Sequence, residues 1–322
     1  MLAALAPGGN DARECVAIGP AGEVYEPDGH GAWIRTRAIE IALPESAATG
    51  AATPGAATSR AAIPGPVAGA ARAGAHVLVL THDGPPFRLA RDGWTVVHFG
   101  MHAKPIVSAG PRPIAAIGRT LFALDNGREP VKLLDAPMPI LAAAASAGGV
   151  VIETDAGLAR LDGKRWKPIT GAPHHVAALL SDRFALEGRG AIDLRSQKTI
   201  DWPAGTKVDA AIATEDSVIA VAQHGKDLEL LTWRPPASAR SHADAQLATE
   251  PVVVGADAPA AHVDAAAAPV GVTTDRAGRV VVALRDGRLV VRDKGPHGTW
   301  STVRVQDALP AARPGPAPAT QK

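Results

Sequence analysis

The 322-residue sequence predicts an all-β fold, a single β-propeller of about seven four-stranded blades. Three observations predict it. A phrase of strand, turn, strand recurs along the chain, with Asp-Gly or Asn-Gly at the turns, which are hairpin signals. Its turn glycines fall at Gly22, Gly84, Gly127, Gly157, Gly190, Gly225 and Gly287, and the middle intervals are roughly those of one four-stranded unit. The chain is also punctuated by 33 glycines and 28 prolines, so few windows sustain a helical apolar period.

The clearest unit is 148–170: a strand, a turn at Asp155-Ala156-Gly157, a strand, a turn at Asp162-Gly163, and a strand opened by Trp166. The first unit repeats it with Val16-Ala-Ile, a turn at Gly22, Glu23-Val-Tyr-Glu, Asp28-Gly29 and Trp33-Ile-Arg-Thr, its innermost strand coming from Leu2-Ala-Ala-Leu. The second has His76-Val-Leu-Val-Leu, Asp83-Gly84, Phe87-Arg-Leu-Ala and Trp94-Thr-Val-Val. The third reads Leu121-Phe-Ala-Leu, Asn126-Gly127 and Val131-Lys-Leu-Leu. The fifth has Arg183-Phe-Ala-Leu, Gly188-Arg-Gly190 and Ala191-Ile-Asp-Leu. The sixth has Ser217-Val-Ile-Ala-Val, His224-Gly225 and Asp227-Leu-Glu-Leu-Leu. The seventh has Arg279-Val-Val-Val-Ala-Leu, Asp286-Gly287, Leu289-Val-Val-Arg and Trp300-Ser-Thr-Val. Small apolar runs precede the units, among them Ile114-Ala-Ala-Ile, Ile140-Leu-Ala-Ala-Ala, Val176-Ala-Ala-Leu-Leu and Ala210-Ala-Ile-Ala. Such runs suit the crowded axis of a ring of sheets.

The expected domain is 1–307. It carries a low-complexity insert at 44–70, a second insert at 234–268, and a disordered tail at 308–322. Stacking units buries a layer that one short sheet cannot bury alone, and closing the ring protects the ends.

Composition excludes several classes. Lys plus Arg number 33 against 32 Asp plus Glu. No basic excess is available for nucleic acid or for an anionic membrane surface. A single cysteine, Cys15 in a strand-like run, rules out intramolecular disulfides and Cys-x-x-Cys chemistry. No apolar segment reaches membrane-span length. The N-terminal apolar run is too short for a signal peptide, so the expected location is the cytoplasm as the chain stands, or outside it if a leader precedes.

Val150-Val-Ile-Glu-Thr-Asp-Ala-Gly-Leu-Ala-Arg-Leu-Asp-Gly-Lys-Arg-Trp resembles the blade motif of the sensor-type propellers of bacterial two-component regulators. Glu23-Val-Tyr-Glu-Pro-Asp-Gly-His-Gly-Ala-Trp looks similar to kelch-like blades. The resemblance implies the fold and, loosely, ligand sensing; no kinase or DNA-binding segment follows the repeats to carry a regulator role.

Phosphate loops, nucleophile elbows, His-Glu-x-x-His and EF-hand loops are absent. No catalytic residue is assigned, and no metal or cofactor is expected. In a propeller the second-to-third turns and the fourth-to-first connections meet on one face. That face is expected to carry His82, Asp83, His102, Lys104, Asn126, Asp155, His174, His175, Arg189, His224 and Asp286. The plain reading is solvated turn residues, because Asp, Asn and Gly fit hairpin dihedrals. The functional reading is a polar binding face or, if imidazoles converge with carboxylates, acid–base or metal chemistry. Adjacent strand residues face opposite ways, so His174 and His175 are not expected to share a metal. The tryptophans read as blade-packing residues or, alternatively, as a carbohydrate-stacking platform.

The expected function is a non-catalytic binding module, a monomer that presents its loop face to a protein or an extended ligand. The alternative is a hydrolase or lyase of lactones or glycans, with a His/Asp site at the central channel.

Overall fold

The computed structural model describes residues 1–6, 15–20, 22–27, 32–37, 41–43, 59–61, 67–73, 76–81, 86–90, 93–97, 106–108, 112–124, 130–236, 246–254, 267–275, 277–294 and 298–306. The chain starts with β1 (Ala4–Ala6), β2 (Val16–Ile18), β3 (Val24–Pro27) and β4 (Trp33–Arg37). A two-stranded hairpin follows, β5 (Ile41–Leu43) and β6 (Ser59–Ala61). Five separate four-stranded antiparallel sheets come next. They are β7 (Val67–Ala73), β8 (His76–Thr81), β9 (Phe87–Ala90) and β10 (Gly93–Val96); then β11 (Ile106–Ser108), β12 (Ile114–Ile117), β13 (Thr120–Ala123) and β14 (Val131–Asp135). The third is β15 (Ala142–Ser146), β16 (Gly149–Thr154), β17 (Gly157–Asp162) and β18 (Arg165–Pro168). The fourth is β19 (Ala178–Leu179), β20 (Phe184–Glu187), β21 (Gly190–Asp193) and β22 (Lys198–Asp201). The fifth is β23 (Thr206–Ala213), β24 (Val218–His224), β25 (Asp227–Arg234) and β26 (Gln246–Pro251). The last strands, β27 (Pro269–Thr274), β28 (Val280–Leu284), β29 (Arg288–Arg292) and β30 (Trp300–Gln306), join the first four in one eight-stranded sheet.

Side chains alternate across each strand, and on inner strands such as β16 and β28 both faces are buried. On β16, Val150 and Ile152 pack toward Ile114, Ala116 and Leu121 of the preceding sheet. Val151 packs the other way, toward Ala185, Ile192 and Leu194. Each such Val or Leu contributes about 1.5–3 kcal/mol on burial. The shared layers run on around the chain and close: Leu5, Ala17, Tyr25 and Trp33 of the first strands pack with Val281, Ala283 and Leu289 of the last. Sheets that pack face to face in sequence and return to the first form a ring. The fold is a β-propeller.

The innermost strands are poor in bulk for a steric reason. A Cβ on Gly271 of β27 would lie 2.8 Å from Leu5 Cβ and 3.2 Å from the Leu5 nitrogen, so glycine lets β27 and β1 converge.

Several sequence expectations are corrected. The sheets do not form about seven separate blades: five four-stranded sheets stand alone, and the first and last four strands are continuous. The joint is a short parallel pairing of β4 with β30, Val305 beside Trp33 and Gln306 beside Ile34. In the β11–β14 sheet the frame shifts by one strand. Ile114–Ile117 is the second strand rather than the first, and the two-residue turn is Gly118-Arg119, with Gly118 at φ 57°. The insert expected at 44–70 overlaps β7, where Val67, Ala70 and Ala71 are buried. Its low apolarity is what an innermost strand requires. The insert expected at 234–268 contains β26, followed by buried Val252 and Val254. The tail at 308–322 lies outside the described residues. Among the described residues no helix is long and apolar enough to cross a membrane.

Candidate functional site

Antiparallel order puts the second-to-third turns and the fourth-to-first connections at one end of the ring. Backbone bonds join them there. Ile140 N–H donates to the Gly118 carbonyl at 2.8 Å, Trp202 N–H to Arg189 at 2.8 Å, and Leu2 N–H to Arg285 at 2.9 Å.

On this end the structure gathers Asp155, His174 and His175. Asp155 is exposed in the β16–β17 turn. That turn is held by Thr154, whose hydroxyl donates to the Gly157 carbonyl at 3.2 Å and accepts from Ala156 N–H at 3.3 Å. Gly157 at φ 102° lies against His174, whose Nδ1 would be 3.5 Å from a Cβ there. His175 Nδ1 lies 2.9 Å from Glu153 Oε1. The two imidazoles are exposed and tilted by 53°, with centroids 6.5 Å apart. Glu153 is buried at the end of the apolar run of β16. Its place after Val-Val-Ile hides it in the sequence, because it reads as one polar residue ending a strand.

Arg189 and His224 are exposed on the turns of the next two sheets. His224 Nδ1 lies 3.5 Å from Glu229 Oε1. Asp286 is consumed by its own turn, accepting from the backbone N–H of Arg288 at 3.0 Å and from its Nε at 2.6 Å. His82, Asp83, His102, Lys104 and Asn126 lie outside the described residues. Among the described residues no three His, Cys, Asp or Glu side chains form a group that could hold a metal.

Three rim tryptophans act as packing residues. Trp33 is buried. Trp166 packs beside the layer between β11–β14 and β15–β18 and donates its indole N–H to the Asp135 carbonyl at 3.2 Å. Trp300 packs on the layer shared by β23–β26 and β27–β30. The Trp94 side chain lies outside the described residues.

The opposite end holds a network that the sequence did not disclose. Asp182 is buried, accepts from Arg195 Nη2 at 2.8 Å and from the Ser146 hydroxyl, and its carbonyl takes Arg160 Nη2 at 3.0 Å. The Ser146 and Arg160 bonds tie β15–β18 to β19–β22. Asp193 is buried and accepts from Arg183 Nε and Nη2 at 3.1 and 2.8 Å and from Arg195 N–H at 2.9 Å. Burial pushes its carboxyl up, but the Arg183 bonds, the Arg195 N–H and the guanidinium charge outweigh that and hold it below the usual carboxylate range. Arg183 also donates to the Glu215 carbonyl at 3.0 Å, reaching β23–β26, and stacks over Phe184 with its guanidinium carbon 4.8 Å from the ring centroid.

No protein-family model matches the chain. No curated protein matches it either. Among solved structures, the WD40 propeller domain of Doa1 is similar at 11% identity and a TM-score of 0.48, covering 88% of this chain and 90% of that one. The Dos1 propeller gives 12% and 0.45, covering 91% and 80%. The computationally designed Ika8 protein gives 14% and 0.49, covering 91% and 83%. The likeness to sensor-type propellers of two-component regulators stays one of sequence motifs.

Proposed function

We propose that the chain is a non-catalytic binding module that presents its turn end to a protein or extended ligand. The observation that carries this reading is the contrast between the ends. Asp155, His174, His175, Arg189 and His224 stand exposed on bonded turns at one end. At the other, Asp182 and Asp193 are buried and spent on holding three sheets together. A rigid scaffold with a grafted polar face suits recognition. Counting the eight-stranded sheet as two blades, the ring has seven. Support comes from apolar layers shared at seven junctions between four-strand units; an experimental structure with a different rotational repeat about the axis would overturn that count.

The test is affinity capture from the native host with three baits: the wild-type chain, an Asp155→Ala/His174→Ala/Arg189→Ala variant, and a Lys164→Ala/Lys198→Ala control on the other end and rim. A stoichiometric partner lost only with the face variant supports the module. Equal capture by all three baits, or a lactone- or glycan-cleaving activity abolished by His174→Ala, would sink it.

A further inference from the structure

Two buried polar atoms at the turn end of β23–β26 have no hydrogen-bond partner within the protein. They are the Thr206 hydroxyl on β23 and Glu229 Oε2 on β25. Folded proteins pair such groups with other residues, with water or with a ligand. The other inner acids of this end, Glu153 and Asp209, leave no such atom.

Thr206 lies directly opposite His224 on β24. Glu229 lies opposite Ala222, diagonally across from His224. Alternation along the strands puts Thr206, His224 and Glu229 on one face, the same face that packs Val208, Ala222 and Leu231 toward β19–β22. Three adjacent strands therefore each bring one polar group to the edge of that apolar layer.

His224 stands between the two unpartnered atoms. Its Nδ1 is 3.5 Å from Glu229 Oε1. Its Nε2 lies on the side of Gly205, the residue before Thr206, 3.9 Å from where a Cβ would stand. Gly205, at φ 82°, puts no side chain over the ring. With the ring proton on Nδ1, facing the carboxylate, Nε2 is an acceptor. The site can then offer Glu229 Oε2, the Thr206 hydroxyl oxygen and His224 Nε2, all acceptors, with one negative charge.

That set matches an ammonium group, which has donors only and a positive charge. An anion would meet the Glu229 carboxylate. A metal ion is less well served, because among the described residues no three His, Cys, Asp or Glu side chains group here. Lys226 and Arg189 stand exposed on the adjoining turns, yet neither is ion-paired with Glu229. His224 is 47% exposed and Glu229 21%, so a ligand reaches the site without parting the sheets.

We infer that Thr206, His224 and Glu229 form a subsite for a primary ammonium group, supplied by a lysine side chain of the protein partner. This rests on the binding-module reading and gives the chemistry of one of its contacts. The long flexible stem of lysine suits it, because the charge must pass the exposed turns to reach acceptors set at the edge of the layer.

The experiment titrates the intact, nitrogen-15-labelled chain with Nα-acetyl-lysine methylamide and with the uncharged norleucine counterpart, following amide resonances. The lysine probe is expected to shift Gly205, Thr206 and Gly225 at about millimolar concentration, and the norleucine probe to leave them in place. Glu229→Gln is expected to weaken binding by about tenfold or more, Thr206→Val by about threefold, and the control Lys164→Ala by less than about twofold. The dispersion of each spectrum establishes that each variant folds. No shift with the lysine probe, equal shifts with norleucine, or unchanged binding in Glu229→Gln would each overturn the inference. So would a crystal grown with the lysine probe in which water alone occupies the space between Thr206 and Glu229. A host partner captured equally by the wild type and Glu229→Gln, but lost with the Asp155/His174/Arg189 variant, would overturn it while leaving the binding module intact.

Discussion

Replacing Asp193 with Asn tests how the propeller holds its sheets in register. Asp193 closes the β21 end with both oxygens engaged, Oδ2 by two Arg183 nitrogens and Oδ1 by the Arg195 N–H. Its side chain is 1% exposed and that of Arg183 is 21% exposed, so solvent screens the pair little. Asn keeps the shape and one acceptor but removes the charge and turns an N–H donor toward another donor. Losing one partner of a buried charged pair costs about 3–5 kcal/mol when nothing replaces it. Arg183 keeps its bond to Glu215 and its stacking on Phe184, so about 2–3 kcal/mol is the expected loss at pH 7. The sign with pH follows from the lowered carboxyl. A carboxylate whose folded pKa lies below its unfolded value of about 3.9 contributes stability above that value and loses it as pH falls through the folded one. The gap between wild type and variant should therefore be flat from pH 7 to about 4 and narrow below. Urea unfolding followed by tryptophan fluorescence reads it, since Trp233 lies 5.9 Å from Phe184 in the layer between these sheets. A gap under about 0.5 kcal/mol at pH 7, the size of an ordinary surface change, or one that holds constant down to pH 3, would refute the reasoning.

Further outcomes follow from steric and packing facts. Gly271→Ala should cost about 1–3 kcal/mol, because the new Cβ would meet Leu5 Cβ at 2.8 Å; thermal melting checks it, and an unchanged Tm would show that the ring closes with slack. Trp233→Ala should cost about 3–5 kcal/mol, since the side chain is fully buried between β19–β22 and β23–β26, measurable by denaturant titration. Gly157→Ala should cost about 1 kcal/mol from its positive φ and leave the rest of the ring protected in hydrogen exchange. Asp182→Ala should raise exchange at the edges of both β15–β18 and β19–β22, because its bond to Ser146 joins the two sheets and its bond to Arg195 braces the second.

Repeat, strand frame and turn positions were legible wherever Asp-Gly or His-Gly turns coincided with strands that alternate cleanly, as at Asp155–Gly157 and Asp286–Gly287. They failed where two signals competed. In the β11–β14 sheet the small apolar run Ile114–Ile117 read as an innermost strand, which hid the turn at Gly118-Arg119 that follows it. The expected low-complexity insert at 44–70 took in the start of β7, yet small residues are what convergent inner strands need, as the closeness of Gly271 to Leu5 shows at another inner strand. The face histidines were legible as turn residues. Their carboxylate partners were not, because Glu153 and Glu229 sit within strands, and sequence spacing does not reveal which strand residues lie under a loop. The network at the opposite end was invisible for the same reason: Ser146 and Arg160 meet Asp182 only once two sheets are stacked.

The two ends of the ring put their polar groups to opposite uses. At the Asp182–Asp193 end the acids are innermost and carry several donors each, and Arg183 is drawn inward with them while Arg195 keeps about half of its side chain in solvent. At the turn end Glu153, Asp209 and Glu229 are also inner, but each meets a single partner that remains largely in solvent. An inner carboxylate with one outer partner adds little to stability, because an exposed member loses most of the Coulomb attraction to water. What it does supply is direction: the His or Lys is held over the acid and aimed outward. Strengthening such a pair by adding donors would stabilise the ring and remove the charge from the surface. Sparse pairs therefore leave the polar groups of the turn end exposed, while the denser network opposite ties three of the sheets together.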